Sequence, residues 1–517
     1  MKKILLPLAA LLLGAGSAYA GANVYASALK VNDGKLSFVL NDAATKVVLN
    51  VIKNGETVAT ADLGAGVKGV NTVDMPSLNV EPGTYQWSLT ASAAANTEVV
   101  QLTDGTDLNL QTSSARGIAV DMFPTSPAFG NVYVVTPAEP SKQGARVETG
   151  LYAFDSSLKP INETAYTGGI EWAASPSNPN NVAVAENGQV FICSWADNAQ
   201  SGVFVAEPDD LGGKWESVFT ESERDDNGLV TVDGVKIHGS VQDIALYGNG
   251  DKRILYTDDE DINGGNGDIF LYNIGTLASP WDKAPSATWG GNTTGNVANG
   301  NHRLSSDGRG GLWVSQYRWE ESDTYPNLFH INANGVWDFK TGDMSIFVGG
   351  TPVGAMAANA DGSLVAMADG DHGKKIVVAK VTYDENGLPT LEKAYEISAS
   401  AYGTRPFDLA FDAVNNIYAV YNSDNEAGGV AAWALPAEKN EFTTPALVDL
   451  EVSASGIADA AVAEYTLKGG VLTAEAGAAV YTVAGVKVAE GTVIDTNALA
   501  AGVYVVRTVK GAFKIVK

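Results

Sequence analysis

The chain has 517 residues, 33 Lys and Arg against 60 Asp and Glu, a formal net charge of −27, 56 glycines and one cysteine. At about 150 residues per domain this length calls for about three domains, while so acidic a balance repels phosphate backbones and anionic lipid heads and argues against nucleic acid or a membrane surface as partner. A single cysteine closes no internal disulfide, which excludes a disulfide-stapled scaffold.

The amino terminus is built like a cleavable leader. Met1-Lys2-Lys3 is positive, Ile4 to Leu13 is apolar, and Ala18-Tyr19-Ala20 offers a small-x-small cut before Gly21. Residues 1–20 are therefore expected to be a signal peptide, and the mature chain to be secreted or held at the outer cell surface of a Gram-negative cell. No later apolar run approaches the length of a membrane span, so no transmembrane anchor is expected.

Residues 21–95 alternate as short strands, Leu36–Leu40, Lys46–Ile52, Thr57–Leu63 and Gly83–Leu89, separated by Lys53-Asn54-Gly55 and Glu81-Pro82-Gly83. This spacing predicts an immunoglobulin-like sandwich. The run "VVLNVIKNGETVATADLG … EPGTYQWSLTA" resembles the Ig-like domain of flagellar hook-capping proteins, a module that the resemblance presents as a spacer or docking element.

Residues 96–436 repeat one sentence six times. Gly117-Ile118-Ala119-Val120-Asp121 leads to Val132–Val135 and Leu151–Phe154; equivalents begin at Asn181, Asp243, Leu304, Ala355 and Asp408. Unit starts about 50 to 65 residues apart suit four-stranded blades, and six of them close a ring without sheet edges. The pattern predicts a six-bladed β-propeller, with Glu98–Leu102 supplying a closing strand to the last blade. It resembles NHL-type and related propellers, a likeness of architecture and not of activity. Cys193, in Val190-Phe191-Ile192-Cys193, is expected to be a small core residue.

In such a ring the residues leading into each inner strand share a face with the second-to-third-strand loops. The first set comprises Arg116, Asn180, Gln242, His302, Val353 and Phe407, with Arg303 and Arg405 nearby. The loops contain Trp195, Trp319 and acidic runs. Arg116, Asn180, Trp195, Gln242, His302, Arg303, Trp319 and Arg405 are therefore candidate contacts for a polar ligand, a glycan or peptide; the alternative is a solvated rim whose cations pair with nearby carboxylates. In blade three, Asp258, Asp259, Asp261, Asn263 and Asp268 form an oxygen-rich, glycine-spaced loop suited to calcium. It lacks EF-hand spacing, since Ile269 stands where a Glu is needed, and a plain acidic turn is the other reading. Lactonase-type propellers carry axial carboxylates, whereas the ring aligned here is mainly neutral or basic. Ser305–Trp313 is similar to a sialidase Asp-box, but it occurs once, has Arg309 at a glycine position, and reads as a hairpin turn. With no catalytic motif, a binding protein is favoured over a propeller hydrolase or lyase acting on an extracellular polymer, or a structural surface component.

Residues 437–455 read as a linker. Residues 456–517 alternate as strands, and "VYTVAGVKV", "IDTNALAAGVYVV" and the terminal "KIVK" resemble the C-terminal sorting domain of type IX secretion substrates. That resemblance implies a small β-sandwich and a partner in the type IX export machinery. The whole chain is thus expected to be all-β.

Overall fold

The structure is a computed structural model that describes residues 21–137, 146–172, 178–195, 201–219, 230–232, 235–259, 269–281, 283–289, 302–316, 328–341, 354–368, 375–398, 405–422, 428–452, 465–468, 470–482, 486–508 and 511–516. The described residues form β-strands joined by turns and short 3-10 segments.

Six sheets make the propeller. Blade one holds Gly117–Val120, Val132–Thr136 and Gly150–Phe154, and Tyr166 pairs with Leu151 where a fourth strand would lie. Blades two to five are four-stranded in chain order, beginning at Asn181–Val184, Val241–Tyr247, His302–Ser306 and Met356–Ala358. Blade six runs Arg405–Phe411, Asn416–Asn422, Gly428–Ala434, and is closed by Val100–Gln101, with Trp433 opposite Gln101 and Ala434 opposite Val100. The closing strand expected around residue 100 is therefore present. The ring joins its two ends through the ladder as well as through packing.

Packing explains why the second strands are apolar throughout. Successive side chains point to opposite faces, and each blade face lies against a neighbouring blade, so all five residues of Val132–Thr136 are buried. Tyr133 and Val135 enter the core shared with blade two, while Val132 and Val134 enter the core shared with blade six. Equivalent cores fill the other four junctions. Cys193 lies fully buried in one of them, and burial pushes its thiol well above the ordinary range.

The amino-terminal strands form a two-sheet sandwich. Ala26–Asn32, Lys35–Leu40 and Gly69–Asp74 make one sheet; Gly83–Ala93, Ala44–Lys53 and Glu56–Gly66 make the other, around Phe38, Leu49, Trp87 and Leu89. This second sheet is completed from the far side of the propeller. Asn440–Pro445 pairs with Ser88–Ala93, and Leu450–Val452 with Gly83–Tyr85. Residues 440–452, expected as linker, are strands because Phe442 and Leu450 have apolar surface to bury and Gly83–Ala93 offers an open edge. The propeller is thus inserted within the sandwich.

At the carboxyl end, Val471–Thr482 is shared by Tyr465–Lys468, Lys487–Asp495 and Val503–Thr508, with Gly511–Val516 outermost. Its pairing with Lys487–Asp495 shifts around Gly477, at φ 86°, and the sheet packs about Leu472, Val480, Val506 and Ile515. The expected hairpin closes with Thr482 donating to the Val486 carbonyl at 2.8 Å.

Candidate functional site

The inner strands surround an axial cavity of about 270 Å³. Ile118, Val182, Ile244, Leu304, Met356 and Leu409 line it, Met122, Phe123 and Tyr247 stand towards the first-to-second-strand turns, and Asn181 and Asp408 lie at its other end. Immediately before those apolar residues stand Gly117, Asn181, Asp243, Arg303, Ala355 and Asp408. These six positions form the ring.

Side chains in and beside the ring tie several blades to their neighbours. An inner strand has no partner on its axial edge, so its backbone N–H groups need side-chain acceptors. Asp408 accepts from Ile118 N at 3.0 Å, Asp243 from Leu304 N at 2.6 Å, and Ser305 Oγ from Ala358 N at 2.9 Å. Asn181 Nδ2 donates to the second oxygen of Asp243. Gly117 is required by close approach: a Cβ there would sit 2.3 Å from Asn181 Oδ1 and 2.7 Å from its Cα. Gly117→Ala is expected to cost about 1–3 kcal/mol, measured by denaturant unfolding; an unchanged midpoint would show that blades one and two separate freely.

Arg303 crosses the axis. Its Nη1 lies 3.6 Å from Asp243 Oδ1 and its Nη2 3.4 Å from the Arg116 carbonyl; blades four and one stand opposite each other in a six-bladed ring. Arg303 is 8 % exposed, Asp408 4 % and Asp243 0 %, so this charge cluster stands in the neck of the propeller. Burial raises the pKa of both carboxyls, with the Arg303 guanidinium opposing it. Asp243 adds a second upward push on Asp408.

The expected ring was aligned one residue outward at most blades. It singled out Arg116, Asn180 and Gln242 and passed over Gly117, Asn181 and Asp243, and it missed Asp408 beside Phe407. The axis therefore does carry two carboxylates, contrary to the mainly neutral or basic ring expected. The usable signal was an Asp directly preceding the small apolar run in Asp243-Ile244-Ala245 and Asp408-Leu409-Ala410.

The residues singled out from the sequence form the next layer. Arg116 is half-buried with its guanidinium 4.5 Å from the Phe407 ring centroid. Asn180 is buried and donates through Nδ2 to the Gln242 carbonyl. Gln242 is 3 % exposed, and both its Nε2 and its Oε1 are buried with no hydrogen-bond partner among the described residues. Trp195 is half-buried beyond Val190–Ser194. His302 and Arg405 take part in their ladders opposite Gln316 and Asn422; their side chains, and all of Trp319, lie outside the described residues.

Of the proposed calcium ligands, Asp258 and Asp259 end the strand Ile254–Asp259 and are buried. Consecutive strand residues point to opposite faces, and Asp259 accepts from Gly239 N at 2.7 Å. They do not converge as neighbours in a loop would. Asp261, Asn263 and Asp268 lie outside the described residues, and among the described residues no group of three or more His, Cys, Asp or Glu could hold a metal ion. Asp307, in the Asp-box-like stretch, accepts from Arg309 N at 2.7 Å and Gly311 N at 2.8 Å. It is a turn-forming residue that also contacts His330 Nε2 at 3.1 Å.

Among the described residues no helix is long and apolar enough to cross a membrane. No protein-family model matches the chain, and no curated protein is significantly similar to it. Solved structures similar to it include a gluconolactonase from Xanthomonas campestris (10 % identity, 68 % of this chain and 90 % of that one, TM-score 0.37). A calcium-binding regucalcin from Agrobacterium tumefaciens (12 %, 63 % and 92 %, TM-score 0.35) and a periplasmic gluconolactonase from Pseudomonas aeruginosa (14 %, 78 % and 99 %, TM-score 0.34) are also similar. The chain is an all-β protein with a six-bladed propeller, an assignment that stands on its own ladders and inter-blade cores.

Proposed function

We propose that this chain is exported and that its propeller binds a polar extracellular ligand, a glycan or peptide, at the mouth above the ring. The observation that carries this reading is the Gln242 side chain. Leaving a buried donor or acceptor unmade costs about 1–3 kcal/mol each, and Gln242, directly before Asp243 of the ring, holds one of each. A ligand presenting paired donor and acceptor groups, such as vicinal hydroxyls or a peptide unit, would satisfy both. Asp243 and Asp408 are occupied by backbone N–H groups, Asn181 and Arg303, an arrangement that supports binding over hydrolysis.

In this reading residues 1–20 are removed on export, the carboxyl-terminal module engages the type IX machinery, and the Ig-like sandwich acts as spacer or docking element. The product is secreted or retained at the outer surface. Glycan and peptide arrays probed with the full chain from Gly21, with and without calcium, test it. Gln242→Leu should weaken binding by about 10- to 100-fold and raise the melting temperature of the free protein, because the substitution removes two unmade hydrogen bonds. Absence of binding in every array would overturn the ligand reading, and a calcium-independent melting temperature would remove the metal.

A further inference from the structure

Residues 21–25 precede the first strand and pair with no ladder, yet Ala22 to Tyr25 are almost completely buried. Asparagine side chains take the place of neighbouring strands. Asn416 accepts from Asn23 N at 2.9 Å and donates to Asn23 O at 2.9 Å. Asn440 accepts from Val24 N at 2.7 Å and donates to Ala22 O at 3.0 Å. Asn41 accepts from Tyr25 N at 2.8 Å and donates to Asn23 O at 2.8 Å. A carboxamide offers one acceptor and two donors on a planar frame, so each of the three reproduces the pairing a peptide group would give.

These asparagines come from different parts of the chain. Asn41 belongs to the sandwich, Asn416 to blade six and Asn440 to the strand after the propeller. The Asn23 side chain donates to the carbonyls of Val414 at 3.0 Å and Leu435 at 3.1 Å, and Tyr25 packs on Phe129 and Phe442. The segment therefore holds three separate pieces of backbone together. At its start, Asn96 Nδ2 donates to Gly21 O at 2.7 Å and Ala22 N donates to Asp42 Oδ2 at 2.8 Å. A Cβ on Gly21 would lie 2.9 Å from that same carboxylate oxygen, so the Gly21 α-carbon stands close to the Asp42 carboxylate.

We propose that this asparagine-lined groove is a peptide-recognition site whose ligand is the chain's own newly cut amino terminus. The inference rests on the export reading only for the position of the cut. Hydrolysis of the Ala20–Gly21 bond by the leader-removing peptidase consumes one water and leaves a carboxylate on Ala20 and an ammonium on Gly21. That ammonium pairs with Asp42, and Gly21–Tyr25 then locks the sandwich to the base of the propeller. The uncut chain lacks this charge and carries a peptide in its place.

Three forms of the full chain test this: one with Gly21 freed by a protease in vitro, one with a neutral linker left in front of Gly21, and one lacking Gly21–Tyr25. The freed form should melt several degrees above the linker form, and Asp42→Asn should abolish that difference. The form lacking Gly21–Tyr25 should melt lower still and be restored in a dose-dependent way by the pentapeptide Gly-Ala-Asn-Val-Tyr, and less by its N-acetylated form. Equal melting of the freed and linker forms, or equal rescue by both peptides, overturns the proposal. Should the shortened chain fail to fold, the comparison of freed and linker forms with Asp42→Asn decides alone. The amino-terminal mass of protein recovered outside the cells is a separate readout: a start other than Gly21 overturns the cut, without altering the in vitro result.

Discussion

Ending the chain after Pro436 is expected to unfold the amino-terminal sandwich while leaving the propeller closed, whereas ending it after Val452 should leave both intact. Asn440–Pro445 pairs along Ser88–Ala93, Leu450 is buried in the sandwich core, and Trp87 Nε1 donates to the Val448 carbonyl at 2.8 Å. Burying Leu450 alone is worth about 1.5–3 kcal/mol. The lost ladder, the uncovered Trp87 and the missing Asn440 clamp add to this, and together they rival the whole stability of about 5–15 kcal/mol that a domain commands. The propeller retains Val100–Gln101 on blade six, so its ring still closes. Hydrogen exchange resolved by segment distinguishes the two truncations. Continued protection of Lys46–Ile52 in the shorter chain would mean that the sandwich is complete without its returning strands.

Arg303→Leu should be the most damaging single substitution on the axis, with a loss of about 3–5 kcal/mol at neutral pH. It leaves Asp243 and Asp408 buried without their shared cation, and each opposes the other's ionisation. The pH dependence follows from the direction of their shifts. Both carboxyls titrate higher in the folded protein than in the unfolded chain, where the value is about 3.9. The folded state therefore binds more protons between those values, and stability falls as pH rises through that interval. Removing Arg303 pushes the folded values further up and deepens the fall. The variant should approach the parent near pH 4 and diverge from it towards pH 8, and adding Asp408→Asn should recover part of the deficit. Denaturant midpoints at the two pH values decide the matter; the same deficit at both would assign the loss to packing.

The ring of six blades was legible because each strand buries both faces, which turns the sequence into recurring apolar runs such as Val132–Val135 and Ile417–Val420. Ala26–Asn32 and Gly69–Asp74 were not, since exposed residues alternate through Val70, Thr72 and Asp74 with too few apolar neighbours to mark a strand. The return of Asn440–Pro445 was invisible for a different reason. Its partner lies about 350 residues earlier, and no local pattern records a pairing at that distance. At the site, the positions expected from sequence spacing stand one residue outside the ring at most blades and two at blade five, because a strand's ends are set by hydrogen bonds across blades, such as Leu304 N to Asp243, and not by hydropathy. Gln242 was named for its position alone; that its two polar side-chain atoms lack a partner among the described residues is a property of the packed interior around it.

The returning strands also set a clock. A ribosome adding about 5–20 residues each second presents Gly83–Ala93 roughly 20–70 s before Asn440–Pro445 exists to cover it. For that interval the first sandwich has an open edge and an uncovered Trp87, and a chain that cannot finish its first domain until its last third is made stays threadable while it is being synthesised.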